Sequence, residues 1–373
     1  MKKVQKISIL ISSYDDLRNP YYAGGGAHAI HEIAKRLSSK YDVTILTGSY
    51  PGSKNEIRDG VTYQRVGLSY LGGKIGQLSY QLTLPWHVIT KQYDVWMESF
   101  TPPFSTNCLQ LFTKKPVIGI VHMLAGEDMR RKYKLPFDSS EKIGLRTYKY
   151  LIVLSDSMKE KIQKINKNVE IAVIPNGVEI FKNQSNLPVK HVQKHILFLG
   201  RLEVNQKGID LLLESYALNS KAIKYDLVLA GSGEKKEIQK VQRLIKQLNL
   251  SRRVKLSGRV EGAKKEKLFS EAVCIVIPSR FETYSIVALE ALAHNVPVIA
   301  FDIEGLSWIP KGVAVKVRKF NKEELSKAII AVSQNPDTAA LMKQKGRDYA
   351  RKLTWDTITT LYEKYLNHVQ KLQ

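Results

Sequence analysis

Short apolar runs separated by stretches of helical periodicity recur along nearly the whole chain, and this alternation restricts its fold more than any other feature. Ile7–Ile11, Val43–Leu46, Val95–Met97, Val117–Val121, Leu151–Leu154 and Ile171–Ile174 read as strands. With a helical stretch between successive runs, the expected arrangement is a parallel sheet with crossover helices. The rhythm lapses between Phe181 and His195, where Asn183, Gln184, Ser185, Asn186 and Pro188 stand among lysines. It resumes with Ile196–Leu199, Leu227–Ala230, Val254–Leu256, Val273–Ile277 and Val298–Ala300. A chain of 373 residues is long enough for two cores, so the lapse reads as a linker between domains at 1–185 and 192–355. After Thr354, an N-cap candidate, Trp355, Ile358, Leu361, Tyr362, Tyr365 and Leu366 follow at helical spacing. Residues 356–373 are therefore expected to form a helix that packs back onto the first domain.

The chain carries 58 Lys and Arg against 35 Asp and Glu, a formal charge of +23 split roughly evenly between its halves. Such a field favours polyanionic partners: nucleotide diphosphates, phospholipid surfaces or nucleic acid. Nucleic acid lacks support, because there is no zinc-finger spacing, no aromatic RNP-type strand and no basic heptad region. Cys108 and Cys274 fall in a predicted helix and a predicted strand, which argues against a disulfide framework and for a reducing compartment. The run Ile7–Ile11 ends at Asp15 and Asp16 and fits a first strand better than a signal peptide, and no stretch is long enough to span a bilayer. The expectation is a soluble cytoplasmic protein, attached at most to the surface of an anionic membrane.

Two groups of residues point to chemistry. In PSRFETYSIVALEALA, Pro278 to Ala293, Glu282 precedes a strongly apolar helix and Glu290 lies inside it. A carboxylate among Ile286, Val287, Leu289 and Leu292 requires a specific partner, either a ligand or a structural cation. Treated as ends of one helical segment, the two acids are roughly 12 Å apart, beyond the separation of a glycosidase pair and suited to the two ends of a nucleotide-sugar. In GRLEVNQKG, Arg201 and Lys207 follow the strand Ile196–Leu199 and precede a helix beginning near Ile209. A strand's carboxyl edge, a helix amino terminus and two cations together suit a diphosphate, although taken alone each cation reads more readily as an ordinary surface charge than as a ligand.

GRLEVNQKG followed by SRFETYSIVALEALAHNVPVIA, with IPNGVE upstream, resembles the retaining GT-B glycosyltransferases of family four, most specifically from Val173 onward. The resemblance implies two Rossmann-like domains facing a cleft, the first binding acceptor and the second binding a nucleotide-diphosphate sugar. It implies hexosyl transfer with retention, no cofactor and no metal. It makes Arg201 and Lys207 clamps on the diphosphate, with Glu290 on the ribose, Glu282 on the transferred sugar, and the amides around Ser285 and Ile286 on the phosphates. Gly258, Arg259 and Val260 match the family's base-binding turn. Gly24, Gly25 and Gly26 match its glycine loop, and His122 stands where the family places a histidine beside the sugar. UDP is the default nucleotide, and a glycan or lipid-linked saccharide of the cell envelope the expected acceptor. Thr283 and Ser285 stand where the family has glycines, Asn295 replaces another, and Trp308 occupies a common Glu position.

Other features admit blander readings. His28, His31 and Glu32 fall on a predicted helix without a third clear ligand, and metal is not expected there. His191 and His195 lie in the linker and are expected to be solvated. No G-x-G-x-x-G follows the first strand and no G-x-x-x-x-G-K-[ST] occurs, which removes support for dinucleotide oxidoreductases and P-loop enzymes. Ile75, Leu78, Leu82, Trp86 and Ile89 recur at helical spacing with Pro85 interrupting; a kinked, core-facing helix is expected, with a membrane- or acceptor-contacting segment as the alternative. Arg130, Arg131, Lys132 and Lys134 form a basic cluster that fits anionic lipid or a solvated face. The competing functions are a nucleotide-sugar 2-epimerase and a non-catalytic glycosyltransferase-like partner subunit.

Overall fold

The computed structural model describes residues 6–20, 24–68, 72–102, 106–180 and 193–372. They form two compact units, Met1–Gly177 with Trp355–Gln373, and Val178–Thr354. In chain order, the first unit contains β1 (Ser8–Ser12), α1 (Gly25–Leu37), β2 (Asp42–Gly48), β3 (Glu56–Arg58), β4 (Val61–Val66), α2 (Gly73–Thr90), β5 (Val95–Ser99), β6 (Val117–Val121), α3 (Gly126–Tyr133), α4 (Phe137–Thr147), β7 (Tyr150–Val153), α5 (Asp156–Ile165) and β8 (Glu170–Val173). The second contains β9 (His195–Leu199), α6 (Val204–Lys207), α7 (Ile209–Leu218), β10 (Asp226–Ala230), α8 (Lys235–Gln247), β11 (Val254–Gly258), α9 (Gly262–Glu271), β12 (Ala272–Ile277), α10 (Ile286–Ala293), β13 (Val298–Phe301), β14 (Val315–Val317), α11 (Lys322–Gln334) and α12 (Pro336–Ala350). The last helix, α13 (Trp355–Lys371), belongs to the first unit.

The first sheet has strand order β3-β4-β2-β1-β5-β6-β7-β8, parallel except for β3 against β4. The second has order β11-β10-β9-β12-β13-β14 and is parallel throughout. Central strands such as β6 and β12 are buried along their whole length, as their unbroken apolar runs require. In each sheet the strand order reverses beside the first strand, between β1 and β5 and between β9 and β12. The loops leaving those strands diverge there and open a crevice at the carboxyl edge, where open sheets bind ligands.

The first compact unit ends at Gly177, and the segment 185–192 read as the linker lies outside the described residues. Val178 bridges to Thr354 and donates to the Leu353 carbonyl at 2.9 Å, whereas a Cβ on Gly177 would lie 2.5 Å from the Trp355 ring. Helix α13 packs back onto the first unit through Arg36–Asp356 (2.6 Å), Lys40–Glu363 (2.7 Å) and a bond from the Tyr365 hydroxyl to the Glu170 carbonyl (3.0 Å).

Three sequence expectations are corrected. His195 is 5% exposed on β9, where its Nε2 meets the Leu268 carbonyl at 3.1 Å, so it is not a solvated linker residue. Cys108 caps a short 3-10 turn, Leu109–Phe112, in left-handed conformation instead of sitting inside a helix. The α2 stripe does not face the core: Leu82 is 72% and Trp86 67% exposed, while Tyr80, Leu84 and Val88 on the opposite face are buried.

Candidate active site

In the second unit the loops after β9 and β13 both lean on the loop after β12, and a glycine makes each contact possible. Gly208, between α6 and α7, has φ +63°, and a Cβ there would stand 1.9 Å from the Pro278 carbonyl oxygen. Gly305, beyond β13, would place a Cβ 2.0 Å from the Glu282 carbonyl oxygen. Both positions admit glycine because backbone occupies the space a side chain would need. The loops are then tied together: Arg280 N–H donates to the Gln206 carbonyl at 2.9 Å, and the Arg280 guanidinium grips Asp210 with two bonds of 2.8 and 2.7 Å.

This junction brings Lys207 to Glu282. Lys207 Nζ lies 2.7 Å from Glu282 Oε1, the same oxygen that accepts from Ser279 Oγ at 2.7 Å, and the two charged side chains are only 19% and 11% exposed. Arg201, on the loop leaving β9, is exposed and donates to Gln206 Oε1 at 3.2 Å. Glu290, on α10, pairs with Lys265 of α9 at 2.6 Å and is 18% exposed, so it has a protein cation of its own. Ser285 caps α10, its Oγ accepting from Ala288 N–H at 3.4 Å, and Ile286 opens the helix. That amino terminus supplies aligned N–H groups and positive potential next to the Glu282 loop.

The remaining predicted residues of this unit lie on the same sheet edge. Gly258, with φ +67° and open space on its Cα, ends β11, and its carbonyl accepts from Gly231 N–H at 2.8 Å. Arg259 beside it is exposed and paired with Glu261, and Val260 is half-buried. Gly231 in turn abuts Gly200, whose carbonyl oxygen would be 1.7 Å from a Cβ on Gly231. A continuous rim therefore runs over the ends of β11, β10, β9 and β12. Gly231, Gly305, Ser279, Arg280, Asp210 and Lys265 escaped sequence reasoning; only the G-S-G at Gly231–Gly233, directly after the apolar run Leu227–Ala230, offered a signal.

The departures from the family pattern also have structural accounts. Neither Thr283 nor Ser285 has positive φ, so a side chain costs no backbone strain at either position. Asn295 has φ +58° and takes the left-handed conformation that asparagine tolerates. Trp308 stacks on Tyr284, with centroids 4.5 Å apart and planes at 13°, and on Tyr349 at 6.2 Å. The side chain at the position the resemblance gives to Glu is thus held in an aromatic stack with Tyr284, two residues beyond Glu282.

In the first unit, Gly24 caps α1, Gly25 is exposed, and a Cβ on Gly26 would lie 3.5 Å from the His122 ring. His122 follows β6; its Nε2 is sealed from solvent without a protein partner, and burial pushes its pKa down to about 4. The imidazole is therefore neutral at physiological pH and acts as a dipole, not a cation. Two acids that sequence reasoning missed stand in the same unit, Asp15 in the loop after β1 and Glu98 on β5, the strand beside β6. Burial raises Asp15 and Glu98 to about 7, Glu98 despite bonds donated by the Tyr148 hydroxyl and by Asn107 (2.9 Å), so both titrate near neutrality. His31 meets Tyr63 at 2.7 Å and Asp59 at 3.1 Å, and Glu32 pairs with Arg36, so these side chains have protein partners.

The sequence matches two family profiles that together run through both units: Glycosyltransferase Family 4 over residues 23–180 and Glycosyl transferases group 1 over residues 179–349. Two uncharacterised glycosyltransferases of Methanocaldococcus jannaschii are similar to it. One is 25% identical across 95% of this chain and 88% of its own length, the other 30% identical across 57% of this chain and 59% of its own length. Among solved structures, sucrose-phosphate synthase from Thermosynechococcus elongatus superposes with a TM-score of 0.80 at 18% identity, covering 99% of this chain and 100% of that one. HepE from Anabaena, solved in complex with UDP and glucose, superposes at 0.74 with 16% identity, covering 97% and 99%. The chain belongs to the family four glycosyltransferases of the GT-B fold, the group 1 glycosyl transferases.

Proposed function

We propose that the protein transfers a hexosyl group from a nucleotide-diphosphate sugar, UDP-linked by default, to a hydroxyl of a glycan or lipid-linked saccharide, with retention and without metal. The observation that supports this most is the Lys207–Glu282 pair where the loops after β9 and β12 meet, beside the amino terminus of α10. As the glycosidic bond breaks, negative charge builds on the β-phosphate. Lys207, Arg201 and the α10 amides would stabilise that charge where it develops. Glu282, held by Lys207 and Ser279, would orient the sugar hydroxyls. Glu290 would take the ribose hydroxyls, with Lys265 compensating its charge, and the turn at Gly258–Val260 would receive the base. In the first unit the Gly24–Gly26 loop would admit the phosphates and neutral His122 would donate one hydrogen bond to the sugar. HepE binds UDP and glucose on the same fold, which favours UDP as the nucleotide to try first.

Thermal denaturation with a panel of nucleotide-sugars tests the donor. A true donor at a hundred times its Kd should add about 2.7 kcal/mol of stability. The Glu290→Ala protein should bind that donor more weakly by calorimetry, and an unchanged Kd would make Glu290 purely structural. Mass spectrometry of the products separates transfer, which needs an acceptor, from epimerisation, which releases an isomerised sugar without one.

A further inference from the structure

Helix α2 has two apolar faces, and the first unit covers only one of them. Gly76, Gln77, Tyr80, Gln81, Leu84 and Val88 are buried. Ile75, Leu78, Leu82, Trp86 and Ile89 are 43–72% exposed. At about 100° per residue these five fall within an arc of roughly 80°, opposite the face that carries Leu84. Leu111 and Phe112, 67% and 44% exposed on the 3-10 turn that packs on α2, widen the apolar surface. Scattered surface apolar residues are ordinary, but a contiguous stripe of this length marks an interaction site.

Charge selects the occupant. No acidic residue occurs between Asp59 and Asp94, or between Glu98 and Glu127, so neither α2 nor the adjacent turn carries a negative charge. Lys74 lies in the first turn of α2, Lys91 just past its last, and Lys114 and Lys115 follow the turn. Lys74 Nζ also sits 6.0 Å from the ring of Tyr133 on α3, which sets exposed Tyr133 beside the amino-terminal end of the stripe. A second copy of this chain would bring another +23 charge against this face. A surface of anionic headgroups over an apolar interior complements it in both respects.

We infer that α2 docks the protein onto a bilayer containing anionic phospholipid, lying in the interfacial plane with Leu82, Trp86 and Ile89 in the headgroup–acyl boundary and Lys74 and Lys91 among the phosphates. No helix among the described residues is long and apolar enough to cross a membrane, so this attachment is in-plane. It deepens the proposed function by placing the enzyme where a lipid-linked acceptor resides. Vesicle binding requires no donor, so failure here and failure of the donor assignment are observed separately.

Flotation of the full chain with sealed vesicles tests the inference. Vesicles of phosphatidylcholine and phosphatidylglycerol should carry the protein, pure phosphatidylcholine should carry much less, and raised salt should weaken the association. Trp96 and Trp355 are buried and Trp308 is half-buried, so a blue shift of tryptophan emission on binding reports Trp86, and Trp86→Phe should abolish it. The double variant Leu82→Gln, Trp86→Gln should keep the wild-type Tm, since both side chains are exposed, and lose roughly tenfold or more in vesicle affinity. Wild-type protein that stays unbound at every composition, or a double variant that floats as wild type does, overturns the inference. So does self-association, seen by sedimentation equilibrium and removed by the double variant, in the absence of vesicle binding.

Discussion

Lys207→Ala should lower turnover on the order of 100- to 1000-fold while leaving the fold intact. The effect follows from location. Lys207 is 19% exposed and lies 2.7 Å from Glu282 at the junction of the two loops, beside the amino terminus of α10. Charge developing on a leaving diphosphate at that junction would meet a cation screened from water, where a pre-positioned charge acts far more strongly than at the surface. Alanine removes the cation and leaves Glu282 with Ser279 as its hydrogen-bond donor. A second penalty is expected in donor affinity, because an acid without its cation repels the diphosphate. Single-turnover kinetics with saturating donor, alongside circular dichroism to confirm folding, measures the first effect. A rate within a few-fold of wild type would remove Lys207 from the chemistry and leave the pair a structural bridge.

Gly208→Ala should destabilise the protein by about 2–5 kcal/mol and abolish measurable transfer. Two costs add: left-handed φ, roughly 1–2 kcal/mol for a residue with a Cβ, and overpacking, about 1–3 kcal/mol. The second is unavoidable because the obstructing atom, the Pro278 carbonyl oxygen at 1.9 Å, is backbone, so the loop carrying Glu282 must move. Gly258→Ala is the control. It has nearly the same φ, +67° against +63°, with nothing within 4 Å of the added Cβ, and should lose only the conformational part. Denaturant unfolding of both variants decides the matter. Equal stability losses would mean that close packing of the loops contributes nothing beyond backbone strain.

Which parts of the molecule were legible in the sequence follows from the range of the forces involved. Strands buried on both faces, such as β6 and β12, announce themselves as unbroken apolar runs. Strand β4 does not: Val61 and Tyr63 are buried between half-buried Thr62 and Gln64, and a six-residue alternation in a polar segment is easily taken for loop. Strands β3 and β14, three residues each, carry too little pattern to read. In α2 the periodicity was real, but two interleaved apolar sets share one helix, and only the packing of the sheet decides which is covered.

The site divides along the same line. Lys207, Glu282 and Ser285 stood in a local motif, and Asn295 could be read as a left-handed position because asparagine tolerates that geometry. Arg280 and Asp210 are 70 residues apart and meet only because β9 and β12 are neighbours, a fact of topology that no window of sequence contains. Gly231 and Gly305 owe their identity to a carbonyl from another loop. The raised acids Asp15 and Glu98 owe theirs to burial, the one in the loop beyond β1 and the other near the end of β5.

The most direct test is a crystal structure with a nucleoside diphosphate bound, beginning with UDP. The β-phosphate should lie within hydrogen-bond distance of Lys207 Nζ, with its oxygens facing the amino terminus of α10 and the ribose beside Glu290. A diphosphate held elsewhere in the second unit, with the Lys207–Glu282 pair undisturbed and remote from it, would contradict the assignment.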